Sequence, residues 1–176
     1  MPDPADIIAK TISDPPREDD YCCTDGFEWQ YWLMSDLPPA DPVGGYRVLV
    51  TGSREWDSPL EVYERLADVR ALAHESGRYD RFIVVHGACP KGADKHAARW
   101  CLFPDAFADM PVIGEPHPAD WDRHGKRAGF IRNAEMVALG ADFCLAFYKK
   151  GAGNKGTDHC ARLAEAAGIP VRRLTA

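Results

Sequence analysis

Residues 46–176 predict an α/β fold with a mainly parallel sheet covered on both faces, joined to an irregular N-terminal extension. Two observations carry this. Short apolar runs alternate with longer segments whose apolar residues recur at helical spacing. Several runs are apolar at successive positions rather than alternate ones, as strands buried on both faces require.

The elements follow in order. Tyr46–Thr51 is a short β-branched strand. Ser58 to about Glu75 has helical spacing, with Leu60, Tyr63, Leu66, Val69 and Ala73 on one stripe, and Ser58-Pro59 is a good helix start. Phe82–His86 is a second strand and Ala93–Cys101 a helix. Pro111–Ile113 marks a weaker third strand. Gly129–Leu139 is helical, and Gly140 ends it. Phe143–Tyr148 is the fourth strand. Thr157–Ala167 is a helix closed by Gly168, and Ile169-Pro170-Val171 opens a last strand. Strand and helix in this alternation give a Rossmann-like, doubly wound architecture.

Residues 1–45 read as a separate piece, leaving 46–176 as the domain. The first twenty are rich in Pro and Asp. Phe27, Trp29, Tyr31, Trp32, Leu33 and Met34 are too apolar for a free tail and are expected to pack on the domain or on a partner subunit. Pro38 to Gly45 reads as a linker. The extension carries a net charge of −8 against −6 for the whole chain, which leaves the domain at +2. A near-neutral domain argues against broad nucleic-acid binding. One local basic cluster stands out: Arg123, Lys126, Arg127 and Arg132.

The opening Met1 to Asp6 has neither a basic start nor an apolar core, and no apolar run approaches a membrane span. A cytoplasmic protein with no membrane partner is expected. The six cysteines form no C-x-x-C pair, and Cys101 and Cys144 read as buried thiols. No metal site and no cofactor are expected.

In such folds ligands sit outside the carboxyl ends of the strands. Gly52, Ser53 and Arg54 fall there after the first strand, and Gly87, Ala88, Gly92 and Asp94 after the second. Trp121 follows the third, and Gly151, Gly153, Gly156 and Thr157 follow the fourth. Arg132 and Asn133 lie on the helix before that last loop. Small residues admit close backbone approach, helix N-termini favour anions, and Arg adds bidentate phosphate contacts. Trp56 and Trp121 are placed to flank a base. The glycine loops match neither the Walker pattern nor a G-x-G-x-x-G opening the first helix.

Taken in order, five groups resemble a known family: Val50-Thr51-Gly52-Ser53-Arg54; His86-Gly87-Ala88 with Lys91-Gly92-Ala93-Asp94; Pro118-Ala119-Asp120-Trp121; Gly125-Lys126 with Ala128-Gly129; and Arg132-Asn133 with Met136. Over about residues 46–174 the chain resembles the YspA-type, YpsA-related branch of the SLOG superfamily, which also holds DprA and the LOG phosphoribohydrolases. The resemblance implies a Rossmann-like domain binding a nucleotide-derived ligand, ADP-ribose- or NAD-like or a nucleoside phosphate, and pairing into a homodimer or higher oligomer. It also implies two further readings: N-glycosidic cleavage as in LOG enzymes, and DNA binding as in DprA. For cleavage, Arg132 matches the LOG arginine by position, and Asp158 is the carboxylate nearest the place of the LOG glutamate, with Asp94 and Glu135 as other candidates. That glutamate is absent, since Thr157 is followed by Asp158, His159 and Cys160, a departure that argues against LOG-type hydrolysis. Asp158 is better read as a charge in a helix's first turn.

Overall fold

The computed structural model describes residues 44–102 and 110–176. Residues 1–43 of the extension, with the aromatic stretch Phe27–Met34, lie outside the described residues. Strands β1 (Tyr46–Gly52), β2 (Phe82–His86), β3 (Val112–Pro116), β4 (Phe143–Tyr148) and β5 (Val171–Thr175) form one sheet in the order β3-β2-β1-β4-β5. Every pairing is parallel. The helices are α1 (Pro59–Glu75), α2 (Gly92–Trp100), α3 (Trp121–His124), α4 (Ala128–Ala138) and α5 (Lys155–Ala166), with a 3-10 turn at Gly125–Arg127.

β1 is the centre of the sheet, and its alternation shows why both faces need cover. Val48 and Val50 point to one face, where Val62, Leu66, Val69 and Ala73 of α1 and Ala93 and Ala97 of α2 pack. Leu49 points to the other, where it meets Ala134, Met136 and Val137 of α4 and Cys160, Leu163 and Ala164 of α5. Cys144 is fully buried there, whereas Cys101 is half-buried. The chain crosses from the β2 side to the β4 side after β3, so the strand order reverses beside β1. That switch point opens a crevice at the carboxyl edge.

The α1 stripe differs from the sequence expectation. Leu60 is 64% exposed and Val62 is buried in its place. Pro59 is the first helical residue and Ser58 the N-cap, its Oγ accepting from Glu61 N at 3.3 Å. Counting from that start puts Val62, Leu66, Val69 and Ala73 on the inward face. α5 begins at Lys155, two residues before Thr157, which moves Gly156 and Thr157 from the loop into the first turn. Among the described residues no helix is long and apolar enough to cross a membrane.

Candidate functional site

A cleft of about 1020 Å³ opens along the carboxyl edge, the size of a small-molecule site. The turn after β1 supplies Gly52, Arg54 and Glu55, and the loop after β2 supplies Gly87, Ala88, Lys91 and Asp94. Trp121 stands on the β3 side, with Lys126, Gly129, Phe130, Arg132 and Asn133 following it along the chain. Gly153, Gly156 and Thr157 close the β4 side. Four cations therefore face two carboxylates across the opening.

Arg132 is the best-held of these cations. Its Nη1 donates to the carbonyls of Gly87 and of His117, the latter at 3.1 Å. Its Nε donates to Asn133 Oδ1 at 3.0 Å. Asn133 in turn donates from Nδ2 to Gly156 O at 2.9 Å. One buried amide thus orients the guanidinium and pins the start of α5. Gly87 is glycine because the guanidinium occupies the space where its Cβ would stand. The next residue, Ala88, holds a left-handed φ of 51°, and its N–H donates to His86 Nδ1 at 3.2 Å. A non-glycine residue in that region is strained, and such strain is held where a loop must keep a shape.

Asp94 lies in the first turn of α2, 7% exposed. Burial pushes its carboxyl up to about 6, against the pull of Arg132 and of hydrogen bonds from the Cys89 and Gly87 backbone. His86 moves the other way. Burial, then the neighbouring His117 and Arg132, bring it down to about 4, so it is neutral at pH 7. His117 also bonds Glu115 Oε1 through Nε2 at 2.8 Å, and Arg47 grips the same carboxylate with Nη1 and Nη2 at 2.8 and 2.7 Å. The Arg47 hydrogen bonds hold Glu115 down at about 2.

The helix ends divide into two kinds. α1 and α3 carry side-chain caps, from Ser58 and from Asp120, whose Oδ1 accepts from Arg123 N at 2.9 Å. α2, α4 and α5 have Lys91, Arg127 and Asn154 at the N-cap, with no side-chain cap on any of them. The first turns of these three line the cleft through Asp94, Gly129 with Phe130, and Gly156 with Thr157, as Trp121 does at the start of the capped α3. A missing cap costs about 0.5–2 kcal/mol, and a cation at the N-cap opposes the helix dipole. In α2 the Ala93 N–H goes to the Ser53 carbonyl and in α4 the Ala128 N–H goes to Gly125 O, so an anion at this edge would meet the N–H groups that remain in these first turns. The Asn154 side chain is spent elsewhere, accepting from Lys149 N and donating to Lys149 O at 3.2 and 2.9 Å, which folds the glycine loop onto itself.

Not every residue expected at the site faces it. Ser53 is buried, with its N–H on Phe147 O at 2.8 Å and its carbonyl accepting from Ala93 N at 3.4 Å. Gly92, at φ 67°, lies so close to that carbonyl that a Cβ would overlap it. Both residues bind the two loops together behind the cleft wall rather than lining it. Gly151 is exposed at the tip of its turn, away from the lining. Asp158 is buried outside the cleft, its carboxylate 3.0 Å from Arg162 Nε. Helical rotation explains this, because one position beyond Thr157 turns the side chain about 100° away. Trp56 is a core residue, 2% exposed, packed edge-on to Phe147 at 5.1 Å with Nε1 on Ser58 O at 3.0 Å. Trp121 alone of that pair stands in the opening. Glu55 and Phe130 line the cleft without a distinguishing signal in the sequence. Among the described residues no cluster of His, Cys, Asp or Glu is placed to hold a metal.

The family described as the YspA, cpYpsA-related SLOG family matches residues 46–124. The chain is also similar to the Gene 61 protein of Mycobacterium phage D29, 46% identical over 127 residues, which cover 71% of this chain and 93% of that protein. No solved structure matches. The strand-end motifs, the all-parallel sheet and the cleft at its switch point have one account: the chain belongs to the YspA, cpYpsA-related SLOG family.

Proposed function

We propose that the chain binds a nucleotide-derived small molecule, ADP-ribose- or NAD-like or a nucleoside phosphate, with its anionic group at the carboxyl edge. The observation that carries the proposal is the coincidence of three helix first turns without side-chain caps with the half-buried, backbone-held Arg132 in one cleft. Family membership supports this ligand class.

Binding without cleavage is the better reading. Asp158 is taken by Arg162, and the position of the LOG glutamate offers no carboxylate to the cleft. The cleft carries four scattered cations, not a continuous basic track, which favours a small molecule over nucleic acid.

Thermal shift with AMP, ADP-ribose and NAD tests the proposal. A ligand at 100 times its Kd contributes about 2.7 kcal/mol, which raises Tm by roughly 5–10 °C. Arg132→Ala is expected to abolish that rise. An undiminished shift in the variant would remove Arg132 from the anion site. Chromatography of the same mixtures is expected to show the ligand intact, and release of free base would turn the reading to glycosidic cleavage.

A further inference from the structure

Trp121 is out of keeping with the other described tryptophans. Trp56 is buried in the core and Trp100 packs against Phe82, whereas the Trp121 indole is 49% exposed at the cleft mouth. It is nevertheless fixed. Its backbone opens α3, the one-turn helix capped by Asp120, and its ring edge lies 3.5 Å from where a Cβ on Gly129 would stand. The ring therefore rests on the first turn of α4. Arg54 comes from the opposite wall, the turn after β1, and its guanidinium carbon lies 5.6 Å from the ring centroid. An exposed cation held over an exposed indole thus bridges two walls of the cleft.

We propose that Trp121 and Arg54 form a stacking subsite for a planar heteroaromatic ring, so the ligand carries a nucleobase at this end and its phosphate at Arg132. This rests on the reading of the cleft as an anion site. Spacing supports it. Gly129, under the indole, and Arg132 are three residues apart on α4, on one face and about 4.5 Å apart along the axis. The residue under the aromatic platform and the residue that carries the anion-binding cation thus stem from neighbouring turns of one helix face, as a ligand with base and phosphate joined by a single sugar requires. Stacking between two flat groups needs about 7 Å, two layers at about 3.4 Å each. Arg54 must therefore withdraw slightly to admit the ring. It is exposed and on a loop, whereas Trp121 is braced. Arg54 is the half that moves, and Trp121 is the half that discriminates. Glu55 beside Arg54 and Lys126 beyond Trp121 place polar groups around the rim, where they meet the edges of a base.

Isothermal titration of the full chain with AMP and with ribose 5-phosphate separates this proposal from the one beneath it. The wild-type chain is expected to bind AMP on the order of ten- to a hundredfold more tightly, the usual contribution of one base stacked on an aromatic side chain. Trp121→Ala is expected to bring AMP down to the level of ribose 5-phosphate, Trp121→Phe to restore part of the preference, and Arg54→Ala to reduce it. AMP should also quench indole emission in the wild type and not in Trp121→Phe. Equal binding of the two compounds by the wild type, or a preference that survives Trp121→Ala, would overturn the subsite and leave the anion site standing. Binding of neither compound by the folded chain would overturn both.

Discussion

Gly87 and Arg132 are two halves of one local arrangement. The carbonyl of Gly87 holds the guanidinium, and the missing side chain makes room for it. Gly87→Ala is therefore expected to displace the guanidinium and abolish the ligand-induced thermal shift, at a stability cost of about 1 kcal/mol, the low end for overpacking, because the atoms it meets are the end of a flexible side chain. Ligand titration checks the first and unfolding in denaturant the second. A variant that unfolds earlier but still responds to ligand would show that Arg132 has another way to settle. The sequence makes Gly87 and Arg132 legible as candidates, because glycine after a strand and Arg before a glycine loop have few other uses at that edge. It does not separate Gly87 from Gly92. Both are small, yet one yields to a side chain in the cleft and the other to the Ser53 carbonyl behind it. Trp56 fails for a related reason: its burial depends on Phe147, far along the chain on β4.

At the scale of elements, the helix ends show a division between stability and ligand. The Ser58 cap on α1 stands outside the cleft, so Ser58→Ala is expected to cost about 1 kcal/mol with ligand affinity unchanged. Lys91 already holds an extended N-cap conformation, φ −137° and ψ 159°. Lys91→Ser is expected to add a cap on α2, raise stability by about 0.5–1 kcal/mol without ligand, and weaken ligand binding by filling an N–H the anion would use. Chemical denaturation with and without ligand reads both variants. If Lys91→Ser binds as tightly as the parent, the open end of α2 takes no part. Most elements were legible because periodicity is local. Phe82–His86 and Phe143–Tyr148 coincide with β2 and β4. The start of α5 was not, because Lys155-Gly156 reads as loop until Asn154 is seen closing the turn ahead of it.

Across the whole molecule, buried titratable groups set an acid limb of stability. His86 and His159 are both brought down to about 4, His159 by burial among α5 neighbours and against Phe130 at 4.8 Å. A folded value below the unfolded one means that their contribution is complete above about pH 6.5 and lost as pH falls towards 4. Glu115, down at about 2, loses its own contribution as pH falls through the carboxylate range. Asp94, up at about 6, acts in the opposite sense: its contribution is present below about 4 and lost as pH rises to 6. Stability is therefore expected to reach a plateau near pH 6–7 and to fall on the acid side, with each kcal/mol lost lowering Tm by about 2–4 °C. Both ring nitrogens of His159 are buried with no hydrogen-bond partner among the described residues. His159→Leu should consequently raise Tm more at pH 5 than at pH 8 in a scanning-calorimetry series. A larger gain at pH 8 would mean that the imidazole is charged in the folded state. The fold as a whole was legible because strands and helices alternate strictly. The site was legible as an edge, but not as a surface with an inside and an outside.

The contact between Gly92 and the Ser53 carbonyl has an engineering consequence. Two walls of the cleft are soldered at one point, so neither loop can be lengthened or reshaped alone. A library aimed at new ligand specificity would do best to leave residues 53 and 92 as they are. It would diversify instead Pro118 and Ala119, which line the cleft ahead of the Asp120 cap and the braced Trp121.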